Sequence, residues 1–243
     1  MIDYIFNMLK FFTFKMSIET TPSESSLFEV LVNAAALSER SVTVRVAGGW
    51  VRDKLLGQSS LDIDICLDTC TGEHFASLVH QYLQNLEGEN GEHHECSRVS
   101  VIKANPDKSK HLETATMTID SIECDFVNLR AEVYENVDNR IPSSVEFGTP
   151  EEDAYRRDFT VNSLFYNLQS RKVEDWTNKG VNDMKLKIIR TPLDPNITFR
   201  DDPLRLVRPA SIYDFINFYL MYFALQTVKS YKVCRAMWLC PRK

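Results

Sequence analysis

An apolar, β-branched run, Val42-Thr43-Val44-Arg45-Val46-Ala47, stops at the pair Gly48-Gly49, and a second apolar run, Leu61-Asp62-Ile63-Asp64-Ile65, carries carboxylates at alternate positions. In a strand, residues i and i+2 point to the same face. Asp62 and Asp64 are therefore expected to project together, with Ile63 and Ile65 turned into the core. Two adjacent carboxylates repel unless a cation neutralises them, and hard oxygen ligands suit Mg2+. A glycine pair lets backbone amides come close to a ligand, and a helix starting there favours phosphate. Taken singly, a D-x-D is commonly a solvated turn and Gly-Gly a plain one. At this close spacing, each in a strand or turn context, they describe a site for a metal-bound nucleoside triphosphate.

The chain has 243 residues, 44% hydrophobic and 26% charged, which fits one large domain or one domain with an appendage. Its net charge of −6 provides no global basic field, so any contact with nucleic acid needs a local patch. The six cysteines, Cys66, Cys70, Cys96, Cys124, Cys234 and Cys240, show no C-x-x-C spacing. Reduced thiols in an intracellular protein are expected, rather than a zinc site or a disulfide framework. Residues 1–16 are apolar and aromatic, but they contain no arginine and no small-residue cleavage site. That pattern argues against a secretory signal and leaves a poor organelle signal or a disordered or loosely packed extension as the readings. Cytoplasm, nucleus and an organelle such as the mitochondrion are not distinguished by these features.

Apolar periodicity predicts a helix over 27–38, a strand over 42–47, a short helix over 51–56, a strand over 61–67 and an amphipathic helix over 73–86. Residues 17–26 read as a polar linker and 88–95 as a polar loop. Further strands are expected over 98–103, 111–119 and 122–129, with a turn over 104–110. Clustered strands with few intervening helices argue for an α+β sheet rather than a doubly wound one. Asp125 falls among apolar positions of the last strand, where a charge is unfavourable unless it faces water or a metal. It reads either as a solvent-facing residue or as a third carboxylate beside Asp62 and Asp64, with Glu123 of the same facing as the fallback. Residues 151–162 read as helical, with an acidic start that suits the helix dipole. Arg156-Arg157 alone would be a solvated pair, whereas near a triphosphate it is a fork for phosphate oxygens. Asn162 then suits a sugar hydroxyl or a base edge. Asp202 and Pro203 fit the N-cap and first position of another helix, which places Arg205 and Arg208 on one face.

These ordered blocks resemble the tRNA nucleotidyltransferases, the CCA-adding enzymes of the class shared by bacteria and eukaryotes, in their poly(A)-polymerase-like head. Gly48-Gly49-Trp50-Val51-Arg52-Asp53 with Asp62-Ile63-Asp64 is similar to the family's catalytic motif. Arg156-Arg157-Asp158-Phe159-Thr160-Val161-Asn162 is similar to its ribose-recognition motif, and Phe147-Gly148-Thr149-Pro150-Glu151-Glu152-Asp153-Ala154 leads into it as in eukaryotic members. Asp201-Asp202-Pro203-Leu204-Arg205 is similar to the motif joining head to neck. The resemblance implies an α+β nucleotidyltransferase head, a mixed sheet of about five strands backed by helices, followed by the start of a helical neck. It implies catalytic carboxylates at Asp62 and Asp64, with Mg2+ held by them in a two-metal arrangement, and the strand reading adds Asp125 as the third catalytic carboxylate. The nucleotide-binding set that the resemblance implies is Gly48, Gly49, Arg52, Arg157, Asp158, Asn162, Arg205 and Arg208. CTP and ATP are the implied substrates and tRNA 3′ ends the acceptors, with no membrane and no protein partner indicated. The implied organisation is an N-terminal extension over 1–26, a head over 27–175, the start of the neck over 176–208 and a divergent tail over 209–243.

The chain departs from the family's pattern after Arg208. Pro209 removes an amide and disfavours helix at the residue before it, where the family continues a helix. The family's Glu-Asp-x-x-Arg nucleotide-selecting motif has no counterpart before Lys243. The expectation is a truncated product, with CCA addition weighed against a catalytically impaired nucleotide-binding head and a poly(A)-polymerase-like enzyme. Transfer of a sugar by a D-x-D glycosyltransferase leaves the arginine cluster unexplained. Residues 215–228 carry no charge, but they fall short of the roughly 20 apolar residues that span a bilayer.

Overall fold

The computed structural model describes residues 17–90, 94–102, 114–133, 144–206 and 219–220. The first helix, α1 (Pro22–Ala35), starts inside the stretch expected to be a linker. Its polar first turn hides the helix from a reading of apolar periodicity, but its cap is strong. Glu24 N donates to Thr21 Oγ1 at 3.2 Å, and Thr21 N donates to Glu24 Oε2 at 2.7 Å. This reciprocal box, with Pro22 at the first helical position, satisfies two otherwise unpaired amides.

There follow β1 (Val44–Ala47), α2 (Gly49–Leu55), β2 (Ile63–Leu67), α3 (Gly72–Asn90), β3 (Ser100–Ile102), β4 (Thr114–Ile119) and β5 (Ile122–Asn128). Next come β6 (Arg130–Val133), β7 (Ser144–Phe147), α4 (Pro150–Tyr155), a 3-10 turn (Thr160–Asn162), β8 (Phe165–Asn167), β9 (Lys172–Glu174) and α5 (Gly180–Leu186). Strand β10 (Ile188–Ile189), helix α6 (Pro195–Asp201), a 3-10 turn (Pro203–Leu206) and strand β11 (Tyr219–Leu220), which pairs with β10 in parallel, complete the described residues.

The main sheet has seven strands in the order β3-β4-β5-β2-β1-β8-β9. Neighbours are antiparallel except β2 and β5, which run parallel. The α+β expectation holds, and the sheet is wider than the expected five because β8 and β9 extend its β1 edge. Those two strands are three residues each, too short for an alternation signal. The β4–β5 turn uses Asp120 (φ 47°) and Ser121 (φ 68°), the doubly left-handed geometry that two-residue hairpins prefer.

Register fixes which side chains share a face. Ala47 pairs with Asp64 and with Phe165, and Asp64 pairs with Asp125. The opposite face carries Val44, Val46, Ile63, Ile65, Cys124 and Phe126, all 2% exposed or less. Helices α1 to α3 cover that face. Phe75 of α3 meets Phe126 edge-on at 5.5 Å, and Phe28, Trp50 and Tyr166 form a ring cluster with Trp50 5.4 Å from Phe28 and 5.8 Å from Tyr166. Each such buried aromatic adds about 1.5–3 kcal/mol of apolar burial. A smaller apolar cluster, Ala47, Cys66, Leu129, Ala154 and Phe165, lies on the other face.

Two expectations are corrected. Residues 151–162 do not form one helix: α4 ends at Tyr155, and Phe159 is extended with φ −133° and ψ 148°. Asp158 accounts for the break, because its Oδ1 accepts from the next amide, Phe159 N, at 2.8 Å. Such local side-chain bonds compete with helical ones. The turn after Asp202 is a short 3-10 segment rather than a helix, although Asp202 does cap it, accepting from Leu204 N at 2.9 Å. The expected turn over 104–110, most of the tail over 209–243, residues 1–16 and Arg208 lie outside the described residues.

Candidate active site

The face opposite the three helices holds a cavity of about 400 Å³. Its floor is β2 and β5, through Asp64, Cys66 and Val127. Gly48 and Gly49 close one side, where β1 turns into α2. Five arginines, Arg52, Arg130, Arg156, Arg157 and Arg205, line it together with Asp158 and Asn162. In a chain of net charge −6, this concentrates positive charge at one place, the local patch that a polyanionic ligand requires.

Gly48 is the constrained glycine: its φ is 74°, and a Cβ on it would lie 3.1 Å from Arg157 Nη1, whereas one on Gly49 would make an ordinary contact of 3.6 Å with Arg52 Nη2. Arg52 donates through Nε to Asp53 Oδ1 at 2.8 Å and through Nη1 to Asn162 Oδ1 at 2.7 Å. Asn162 Nδ2 in turn donates to Asp158 Oδ1 at 3.0 Å. Asp153, fully buried, pairs with both Arg156 and Arg157. Burial opposes ionisation of Asp153, but the charges of Arg157 and Arg156 outweigh it and hold its pKa below the ordinary value. Burial likewise opposes the Arg157 charge, and Asp153, with smaller help from Cys66 and Asp64, more than offsets it, so the Arg157 pKa is raised. The Cys66 thiol is pushed up to about 12 by burial, with Arg157 acting against the rise.

The carboxylates sit as strand register dictates. Ile63 and Ile65 are buried at 2% and 0%, so Asp64 points to the cavity face. Asp125, opposite it on β5, accepts from Thr116 Oγ1. Asp62 is exposed and immediately precedes β2. Burial and the Asp62 charge push the Asp64 pKa up, Arg157 pulls it down, and Asp125 adds to the rise. Unneutralised repulsion of this kind, among hard oxygen donors, fits a divalent cation. Among the described residues, no three His, Cys, Asp or Glu side chains are grouped tightly enough to hold a metal by themselves. Magnesium is commonly held by one or two carboxylates plus substrate phosphates, and the Asp62–Asp64 pair matches that pattern.

A sequence profile for the poly(A) polymerase head domain matches residues 44–190, the span that builds this cavity apart from Arg205. The chain belongs to the poly(A) polymerase head-domain family. The mitochondrial CCA tRNA nucleotidyltransferase of Saccharomyces cerevisiae is 52% identical over 167 residues, which is 69% of this chain and 30% of that protein. A CCA-adding enzyme in an apo form superposes with a TM-score of 0.66 at 25% identity, over 87% of this chain and 44% of that one. The Thermotoga maritima CCA-adding enzyme complexed with tRNA gives 0.59 at 25% identity, over 83% and 40%. The chain therefore spans less than half the length of these relatives.

Of the residues expected at the site, Gly48, Gly49, Arg52, Asp64, Arg157, Asp158, Asn162 and Arg205 line the same cavity. Asp62 and Asp125 flank Asp64 without lining it, and Arg208 lies outside the described residues. Exposed Glu123 shares the Asp125 face. Arg156, read with Arg157 as a fork for phosphate oxygens, lines it too, and the lining residues not anticipated are Cys66, Val127 and Arg130. Cys66 and Val127 were legible as the i+2 neighbours of Asp64 and Asp125. Arg130 carried no such signal, since it starts β6, which pairs with β7 outside the main sheet.

Proposed function

We propose that this cavity binds a magnesium-complexed nucleoside triphosphate, and that the head transfers CMP and AMP from CTP and ATP to tRNA 3′ ends. The observation that carries the reading is Asp64, in register with Asp125, facing a wall of five arginines. The names of the relatives support the acceptor. Nucleotidyltransferases of this family are generally dependent on a divalent metal. Asp62 and Asp64 would hold Mg2+, with Asp125 beside them; when bound, the ion neutralises triphosphate charge and activates the attacking hydroxyl. The arginine wall draws in the triphosphate and orients it. Arg52 is fixed by Asp53 and Asn162, and its Nη2 lies beside Gly49. Asn162 has one amide hydrogen committed to Asp158 and a second for a sugar hydroxyl or a base edge. Residues 27–175 form the head in this reading and 176–208 begin the neck. Its place is inside the cell, and the mitochondrial names of yeast relatives support an organelle.

A poly(A)-polymerase-like activity is the second reading, favoured by the family to which the head belongs. Extension of a tRNA ending before CCA, by the purified chain with Mg2+ and single nucleotides, separates the two. Incorporation from both CTP and ATP supports CCA addition. ATP alone indicates a polymerase, and no incorporation indicates a head that binds nucleotide without transfer.

A further inference from the structure

The hairpin of β6 and β7 stands apart from the main sheet, and its base is held at fixed points. Leu129, fully buried, donates its amide to the Leu67 carbonyl at 2.7 Å, and its own carbonyl accepts from Gly148 N at 2.9 Å. Thr149 then caps α4: its Oγ1 accepts from Glu152 N at 3.2 Å, and its amide donates to Glu152 Oε2 at 2.7 Å. Phe147 ends β7 directly before these anchors, yet it is 51% exposed. Single exposed apolar residues are ordinary on a protein surface. The position of this one is not. Register sets Phe147 directly opposite Arg130, and opposed residues of an antiparallel pair share a face, with Cβ atoms about 4.5–5.5 Å apart. Arg130 lines the cavity. The Phe147 ring therefore leaves the hairpin on the side that Arg130 turns to the cavity, and remains half open to solvent. An aromatic on an anchored backbone beside five arginines joins two recognition chemistries. Guanidiniums take phosphate oxygens, and a flat ring takes the π-face that every nucleobase has.

We propose that Phe147 stacks an unpaired nucleobase whose phosphates lie in the cavity. The proposal rests on the reading of the cavity as a nucleotide site. The base belongs to the incoming nucleotide or to the last residue of the acceptor RNA; both offer the same π-face, and the test separates them. A phenyl ring has no hydrogen-bonding edge, so the contact adds affinity without choosing between cytosine and adenine.

The test is calorimetric titration of the full chain, alongside thermal unfolding. The ligands are Mg·ATP, Mg·CTP, an oligoribonucleotide with a single-stranded 3′ end, and Mg·tripolyphosphate, which carries the phosphates without a base. Phe147→Ala is expected to weaken a base-bearing ligand about tenfold, the scale of one base stacked on one aromatic. Tripolyphosphate binding and the unfolding midpoint stay unchanged. Weaker ATP and CTP assign the base to the incoming nucleotide, and a weaker oligoribonucleotide alone assigns it to the acceptor. Phe147→Leu, apolar but without a π-face, behaves like Phe147→Ala. Phe147→Trp keeps the affinity, and its added fluorescence is quenched by the base-bearing ligand and not by tripolyphosphate. Should Phe147→Ala shift the midpoint, the leucine and tryptophan substitutions decide. Unchanged affinity for every base-bearing ligand in Phe147→Ala overturns the proposal, as does equal weakening of tripolyphosphate or full affinity in Phe147→Leu. A parent chain that binds none of the ligands overturns the nucleotide-site reading, and the proposal with it.

Discussion

Arg52 Nη1 donates to Asn162 Oδ1 at 2.7 Å, joining the first turn of α2 to the 3-10 turn after α4 across 110 residues of sequence. Both residues line the cavity, so one bond ties the glycine side of the site to its arginine side. Asn162→Ala leaves Arg52 and Asp158 each short of a partner. It is expected to destabilise the chain by about 1–3 kcal/mol, measured by urea unfolding. A double-mutant cycle with Arg52→Ala should show coupling of about 0.5–3 kcal/mol; additivity would mean that the two residues do not act as a unit.

Asp62→Asn and Asp64→Asn should each abolish nucleotide incorporation with folding intact. The expected loss exceeds the roughly 10–100-fold cost of removing a supporting partner of a metal ligand. Arg171→Ala is the control. Its side chain is 73% exposed and 3.6 Å from Glu29, so stability should stay within about 0.5 kcal/mol. Full incorporation by either aspartate variant rules out the metal-site assignment.

The buried pair of Glu24 and Lys54 makes a pH prediction. Lys54 Nζ donates to Glu24 Oε2 at 2.6 Å and Trp50 Nε1 to Oε1 at 3.1 Å. Burial works against the Glu24 charge, but bonds from Lys54, Thr21 and Trp50 outweigh it and hold its pKa below 4.5. A depressed carboxylate contributes stability above the unfolded value, and that stability is lost as pH falls through the lower folded value. Glu24→Gln should therefore cost about 3–5 kcal/mol at neutral pH, since it strands a buried lysine. The gap from the parent should narrow below about pH 4, as read from urea midpoints at several pH values. A gap that stays constant down to pH 3 would contradict the pairing.

Gly72→Ala should destabilise despite the higher helix propensity of alanine. A Cβ at Gly72 would sit 2.3 Å from the Phe126 carbonyl oxygen, and backbone there cannot yield without parting α3 from β5. Overpacking of this sort costs about 1–3 kcal/mol. A denaturant midpoint equal to the parent's would show that α3 can slide.

Much of this protein was legible in its sequence. Alternation around Asp64 required Ile63 and Ile65 to face a core, and that alone aimed the carboxylate at the opposite face. The pair Gly48-Gly49 marked the turn, and the block 156–162 brought two of the five arginines of the wall. These are short-range consequences of strand and turn geometry, which a chain carries locally. Other features depended on contacts between distant segments. The 17–26 stretch reads as linker until Glu24 meets Lys54 and Trp50. The 151–162 stretch reads as one helix until Asp158 captures its neighbour's amide and Phe159 is buried. Asp153 reads as one more acidic residue of a helix start, yet in the fold it is fully enclosed and governs two arginines. The surroundings of Arg156 and Arg157 were decided by tertiary structure alone. Adjacent and chemically identical, both pair with Asp153, but the fold brings the Asn162 carbonyl, Cys66 and Phe165 to the guanidinium of Arg157.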